Sequence, residues 1–297
     1  LNLKRRNKNY IRGGSYAFLP VLLLILSVTL FAQEEAKPPE KPPEKPLRIS
    51  TQEEVEVDYK SAPCKNEDRL NAVKALFEKM GAKPEEITTE KIKDVENVVV
   101  RIQGTGNTTD KVIIGAHYDK VKDGCGAIDN WTGIVSVAHL YRTVKDLSVK
   151  KNFIFVAFGK EELGLIGSRA MADSIKKEER TQYCAMVNID SLGTAVPQVA
   201  DNMSSKKLEE LATGLAKEMS MPYSHAPISG ADSDSSPFIS KKIPGVTIVG
   251  MSNDWPKILH TPNDQATKIN PASVYLGYRL ALAMIARIDA ADCQSFR

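Results

Sequence analysis

The sequence predicts an α/β protein with a mixed, mainly parallel central sheet and helices on both faces. Short β-branched runs alternate along the chain with stretches of helical period, the order that builds parallel strands with crossover helices. One of those runs, KNFIFVAFG (151–159), is almost wholly apolar and reads as a strand covered on both sides. The polar clusters fall just past the ends of the runs, and in such sheets ligands bind beyond the carboxyl ends of the strands.

Taken in order, Leu70, Val73, Leu76 and Met80 recur at helical spacing and stop at Gly81, so 66–80 is a helix. NVVVRIQG (97–104) and KVIIGAHYD (111–119) are strands divided by TGNTTD, a hairpin-like signal. GIVSVAHLYRTV (133–144) is a helix, 151–159 a strand, and about 167–177 a helix. CAMVNID (184–190) is a strand, 205–220 a helix and IPGVTIVG (243–250) a strand. The closing helix, 271–288, is started by Pro271, whose fixed φ and missing N–H suit a first helical position.

The 297 residues are 42% hydrophobic and 26% charged, an ordinary globular composition. The formal charge of +3 misleads, because Lys4, Arg5, Arg6, Lys8 and Arg12 lie in a stretch (1–32) without a single acid. The remainder is nearly neutral and carries no basic face, which argues against a nucleic-acid partner. Those basic residues precede the apolar run Ala17–Ala32, and together they read as a secretory signal peptide. Leu30 fits a cleavage site poorly, so an uncleaved N-terminal anchor is the alternative; either way the remainder is exported, with membrane contact only through that segment. Residues 33–50 are a Pro-rich charged linker unable to bury a core, and 51–297 suffice for one domain. Four cysteines in an exported chain allow disulfides in three pairings, or, for Cys184 in its apolar strand, a buried thiol. No CxxC spacing supports a cysteine metal site.

At the predicted strand ends stand His117, Asp119, Glu161, Glu162, Asp190 and, on the loop after the last strand, His260, with Asp129 in a polar segment between. Two imidazoles and several carboxylates, with no thiolate, suit zinc or a similar divalent ion. Adjacent Glu161 and Glu162 repel one another unless positive charge sits nearby. A cation held by Glu162 would relieve that repulsion and leave Glu161 to act as general base.

In that order GAHYDKV, GAIDNWTG, FGKEELGLIGS, VNIDSLG and ILHTPNDQ resemble the co-catalytic zinc aminopeptidases of peptidase family M28, over most of 98–290. The resemblance implies a zinc-dependent exopeptidase fold, of the phosphorylase/hydrolase-like type. It also implies two zinc ions: His117 and Asp190 on one, Glu162 and His260 on the other, and Asp129 bridging both. Glu161 would be the general base that moves protons for a two-metal-activated water, and Asp119 the carboxylate that orients the His117 ring. The substrates would be peptides with a free N-terminus. GADSDSSPFISKKIPGV is similar to a later family segment, which places Asp234 and Ser235 at the substrate pocket; Ser235 stands where His is common. Lys160 is a second departure and is expected to point to solvent.

Of the remaining histidines, His139 falls in a helical pattern and reads as structural, while His225 reads as a surface-loop residue. Asn130 is assigned the cap of the helix at Gly133, leaving Asp129 for metal. Trp131 and Trp255 either line the cleft or pack beside it, and the Glu53–Asp58 and Lys206–Glu210 charge runs read as solvated faces. The function expected is thus an exported zinc aminopeptidase, with two alternatives. A glutaminyl cyclase shares the fold but uses one zinc, and DNWTG and HTPND look more like the peptidases. A non-catalytic binding protein on this fold would typically have lost ligands or the base, and neither is missing.

Overall fold

The computed structural model describes residues 47–92 and 94–297; the expected leader (1–32) and most of the linker (33–50) lie outside the described residues. Among the described residues no helix is long and apolar enough to cross a membrane. Helix α1 (Gln52–Tyr59) starts on a reciprocal cap: Glu54 N–H donates to the Thr51 hydroxyl, and Thr51 N–H to the Glu54 carboxylate. Then follow α2 (Asn66–Lys79), β1 (Ile87–Ile92), β2 (Val95–Ile102), β3 (Lys111–His117), α3 (Thr132–Val144), β4 (Asn152–Phe158) and α4 (Ile166–Ser174). The chain continues through β5 (Tyr183–Ile189), β6 (Gln198–Ala200), α5 (Lys206–Glu218), β7 (Ser224–Ala226), α6 (Ser235–Ser240), β8 (Gly245–Val249) and α7 (Pro271–Ala290).

The strands form one 8-stranded sheet in the order β1-β2-β4-β3-β5-β8-β6-β7. The pairs β3–β4, β3–β5, β5–β8 and β6–β7 are parallel, and β1–β2, β2–β4 and β6–β8 antiparallel, so the expected mixed, mainly parallel centre is present. The hairpin expected from TGNTTD is not. β4 lies between β2 and β3, pairing Val98 with Ala157 on one side and Ile113 with Ile154 on the other. The turn residues carry the chain past β4 instead of closing a ladder. An almost wholly apolar strand such as β4 gains most at the centre of the sheet, where both edges and both faces are covered.

Alternate residues of the central strands feed two cores. Val98, Val100, Ile114, Phe155 and Val187 face α1, α2, α3, α5 and α7, while Val99, Ile113, Val156, Phe158 and Met186 face α4 and α6 through Met171, Ala172 and Phe238. Two disulfides, Cys64–Cys125 and Cys184–Cys293, pin loops to this frame, so Cys184 is paired and is not the free buried thiol that its strand environment allowed. Such bridges fit an extracytoplasmic compartment.

The charge runs are only partly solvated. Asp58 is buried, accepts from Trp131 Nε1 on its carbonyl and binds His139 Nε2 (2.9 Å) and the Lys79 ammonium through its carboxylate. Glu209, in the second run, is also buried, beside His225. The spacing of α1 explains the first case, since Val55, Asp58 and Tyr59 share its inward stripe. His139 is structural as expected: its other nitrogen meets the Ser50 hydroxyl at 2.8 Å. Burial opposes the charge on Asp58, but the bonds from His139 and Lys79 hold its carboxyl below the usual range, so the node stabilises the fold at neutral pH and is lost as pH falls through that lowered value. Asp58→Ala strips a buried pair of one partner and should cost about 3–5 kcal/mol in chemical denaturation at pH 7.

Candidate metal centre

Strand order places the site. α3 carries the chain from β3 to β4 along one face, whereas α4 returns it across β3 to β5 along the other, so the direction of winding reverses at the carboxyl end of β3. Crevices form at such switch points because the two loops leave on opposite faces. His117 is the last residue of β3, Glu161 and Glu162 follow β4, Asp190 follows β5, and His260 lies on the loop after β8.

The two oxygens of Asp129 point at different imidazoles. Oδ1 lies 3.1 Å from His117 Nε2 and Oδ2 lies 3.0 Å from His260 Nε2. Asp190 Oδ1 is 3.5 Å from His117 Nε2, and Glu162 Oε2 is 3.1 Å from His260 Nε2. His117–Asp129–Asp190 and Asp129–Glu162–His260 are thus two donor triads with one shared carboxylate. Glu161 stands on the same wall, with Oε2 4.0 Å from His117 Nε2. The structure therefore brings together six of the residues singled out in the sequence.

Several hydrogen bonds fix these groups. Ile128 and Asp129 N–H donate to the two carboxylate oxygens of Asp264 (2.7 and 3.2 Å), which sets the backbone under the shared ligand. The Asn130 amide oxygen accepts from Gly133 N–H (3.0 Å), the expected cap, and also from Ser191 N–H (3.1 Å), tying α3 to the end of β5. Asp190 accepts from the Ser191 and Ser233 hydroxyls (3.0 and 2.5 Å). Asp264 and Ser191 were not picked out from sequence, and Ser233 only as part of the segment that carries Asp234: each is a polar residue in a polar loop, and its importance comes from the groups it meets. The motif fragments IDSLG and HTPND were the available signal.

Three residues sit otherwise than expected. The Asp119 carboxylate is 3.8 Å from His117 Nδ1, beyond hydrogen-bond reach, and the nearer acceptor is the Asp119 carbonyl at 3.2 Å. Its carboxylate instead accepts the N–H groups of Glu161 and Glu162 (2.9 and 3.2 Å), so it orders the loop after β4. Asp234 and Ser235 do not line the cavity; both are buried at the start of α6. The Ser235 hydroxyl binds the Met203 carbonyl and Thr247 Oγ1, each at 2.7 Å, so the hydroxyl's valence is spent inside the protein. Trp255 lines the cavity, and Trp131 packs away from it. Lys160 reaches outward to Asp94 at 2.7 Å, and His225 sits exposed on β7, paired with Asp201 at 3.2 Å.

Four carboxylates here (Asp129, Glu161, Glu162, Asp190) face two imidazoles. Burial, then the charges of Asp234, Asp190 and Asp129, push Glu161 up to about 10 against the pull of His117. Burial raises Glu162 as well, although His260 opposes it. Hydrogen bonds to Asp129 and Glu162 lift His260 to about 10. Burial alone would depress His117, but Glu161, Asp129 and Asp190 raise it well above the ordinary imidazole value. A wall so short of positive charge must take protons or cations. Glu162 Oε1 is buried with no hydrogen-bond partner, which leaves it free to hold a cation. Mixed N/O donors with a shared carboxylate fit zinc in number and type.

The cavity at these groups holds about 230 Å³, and Met203, Val249, Met251, Trp255 and Leu259 also line it. Acidic and apolar lining together can hold an ammonium beside an apolar side chain.

The model of peptidase family M28 matches residues 97–285. Aminopeptidase YwaD of Bacillus subtilis is 37% identical over 86 residues, which is 29% of this chain and 19% of that protein. Leucine aminopeptidase 2 of Arthroderma otae is 24% identical over 212 residues, 62% of this chain and 42% of its own length, so the chain spans less than half of either relative. Among solved structures, the Bacillus subtilis zinc aminopeptidase superposes with a TM-score of 0.60 at 23% identity, covering 68% of this chain and 52% of that one. The LapA aminopeptidase of Legionella pneumophila gives 0.70 at 20%, covering 83% and 72%. An Acidobacteriales bacterium glutaminyl cyclase gives 0.70 at 16%, covering 84% and 99%. At these identities the superpositions establish the zinc-exopeptidase fold alone. The match from 97 to 285, in contrast, spans every donor from His117 to His260, and by it the chain belongs to peptidase family M28.

Proposed function

We propose that the chain is an exported zinc aminopeptidase that releases N-terminal residues from peptides, with Glu161 as its general base. The observation that carries the reading is the division of one carboxylate between two histidines, Asp129 Oδ1 toward His117 and Oδ2 toward His260. On this reading His117 and Asp190 hold one zinc, Glu162 and His260 the other, and Asp129 both. The family and its aminopeptidase relatives favour peptide substrates.

When bound, two zinc ions supply Lewis acidity to the attacking water and the scissile carbonyl. The remaining work falls to side chains of this chain. Glu161 takes a proton from the attacking water and passes it to the departing amine. Asp119 keeps Glu161 in place by accepting the N–H groups of both glutamates. Burial makes the Glu161 carboxylate basic, and zinc held by the neighbouring donors would bring that basicity down toward the working pH. The acidic wall attracts the protonated N-terminus. Met203, Met251 and Trp255 receive an apolar first side chain and exclude bulk water.

A glutaminyl cyclase reading is kept because a protein of that activity is matched over 99% of its length. A product assay separates the two. Incubated with a short peptide and its acetylated twin, with and without chelator, an aminopeptidase trims only the free peptide and stops with chelator. Loss of ammonia from a Gln-starting peptide, without trimming, would instead establish the cyclase.

Two substitutions test the roles. Glu161→Gln should lower kcat by about 10²- to 10⁴-fold with zinc content by elemental analysis unchanged; near-normal turnover would remove Glu161 from the base role. Asp264→Asn keeps one acceptor under the Ile128–Asp129 backbone and turns an amide against the other. It should weaken zinc binding about 10- to 100-fold in chelator competition.

A further inference from the structure

Arg69 of α2 has no exposed surface and heads the largest fully buried side chains of the domain. A guanidinium in such a place normally meets a carboxylate, because an unpaired buried charge is costly. Here every hydrogen bond goes to a main-chain carbonyl. Nε donates to Pro63 (2.9 Å), Nη1 to Tyr118 (2.9 Å), and Nη2 to Cys125 (2.8 Å) and Gly126 (2.6 Å). The indole of Trp131 packs beside the group, its centroid 5.6 Å from the guanidinium carbon.

Those carbonyls are not scattered. Tyr118 follows His117, and Cys125 and Gly126 open the turn that ends at Asp129. The planar fork thus spans the two backbone arms that deliver His117 and its shared carboxylate. Two features show that the spacing is tightly set. A side chain at Gly126, where φ is +61°, would put its Cβ 2.7 Å from Lys120 Cβ and 2.8 Å from both Arg69 Nη2 and the Asp129 carbonyl oxygen, so the guanidinium is one of the groups packed against this turn. The Cys64–Cys125 bridge fastens one of those arms to the segment of Pro63, whose carbonyl also meets Arg69. The charge is offset at a distance by Asp264, Asp129, Asp119 and Glu162, all on or behind the donor wall.

We propose that Arg69 is a positioning residue for the metal centre, its guanidinium holding the carbonyls of Tyr118, Cys125 and Gly126 so that His117 and Asp129 keep their separation. The inference rests on the zinc reading above, and it assigns the outer support of the centre to a helix that carries no ligand. Five directed N–H donors can serve four carbonyls in one plane; a lysine ammonium has three and no plane. Arg69→Lys therefore keeps the charge and much of the stem while releasing at least one arm.

The test uses the full oxidised chain, wild type and R69K, and measures zinc affinity by chelator competition, the d–d spectrum of the cobalt-substituted protein, and metal-free melting. Weakening of zinc binding by about 10- to 100-fold, with a changed cobalt spectrum and a metal-free melting temperature close to wild type, supports the proposal. Wild-type affinity and spectrum in a folded R69K overturn it, as does an affinity that weakens only at temperatures where metal-free R69K is already melting. If R69K does not fold, Arg69→Gln, whose single amide keeps two N–H donors for the four carbonyls, decides by the same measurements: weakened zinc binding in a folded protein supports the proposal and unchanged binding overturns it. The wild-type arm separates this inference from the function. A wild type that binds no zinc ends both readings. One that binds zinc yet leaves peptides intact ends only the peptidase reading.

Discussion

Crowded like charge at one edge of the sheet is the constraint around which this domain is arranged. Asp129, Glu161, Glu162 and Asp190 converge on two imidazoles, and no ordinary packing would bring them together at such cost. The fold tolerates the cluster because each member is anchored by something other than its neighbours. Asp264 and Asn130 hold the Asp129 segment, Asp119 holds the two glutamates by their N–H groups, and Ser191 and Ser233 hold Asp190. Three of these supports, Asp264, Asn130 and Asp119, are side chains gripping backbone. Backbone so gripped keeps the ligands apart even when their charges push.

The parallel strands explain why the cluster can exist at all. β3, β4 and β5 run the same way and end at the same edge, so residues far apart in sequence arrive side by side. The reversal of winding at β3 leaves a gap between the departing loops, and the acids fill it. Behind them, Phe155, Val187 and Ile114 on one face and Val156 and Phe158 on the other make the strand ends stiff. Stiffness of this kind is what a site needs if its groups are to stay within a few tenths of an ångström of working distance.

How much of this was legible in the sequence depends on the range of the forces involved. The apolar runs declared the central strands, because burial on both faces leaves a composition that no local turn chemistry can mimic. The donor set was legible for a related reason: His, Asp and Glu at strand ends are conspicuous against apolar runs. Pairing was less so. TGNTTD has the residues of a tight turn, yet β4 intervenes between β2 and β3, a choice made by long-range ladders. Asp58 shows the same limit from another side: a charge run looks solvated until a histidine 81 positions away offers a bond. The roles of Asp119 and Ser235 turned on ångström-scale distances, which spacing in sequence does not encode.

The dispersion of the donors has a consequence for the life of the chain before it folds. An extended polypeptide brings at most His117 and Asp129 within a dozen residues of each other, while Glu162, Asp190 and His260 lie far downstream. Closing loops of that length costs entropy that only the formed sheet repays. The centre is thus complete only once β3, β4, β5 and the loop after β8 have come together. A donor set built this way stays scattered until the sheet has closed. Completion of the centre and completion of the fold are then a single event.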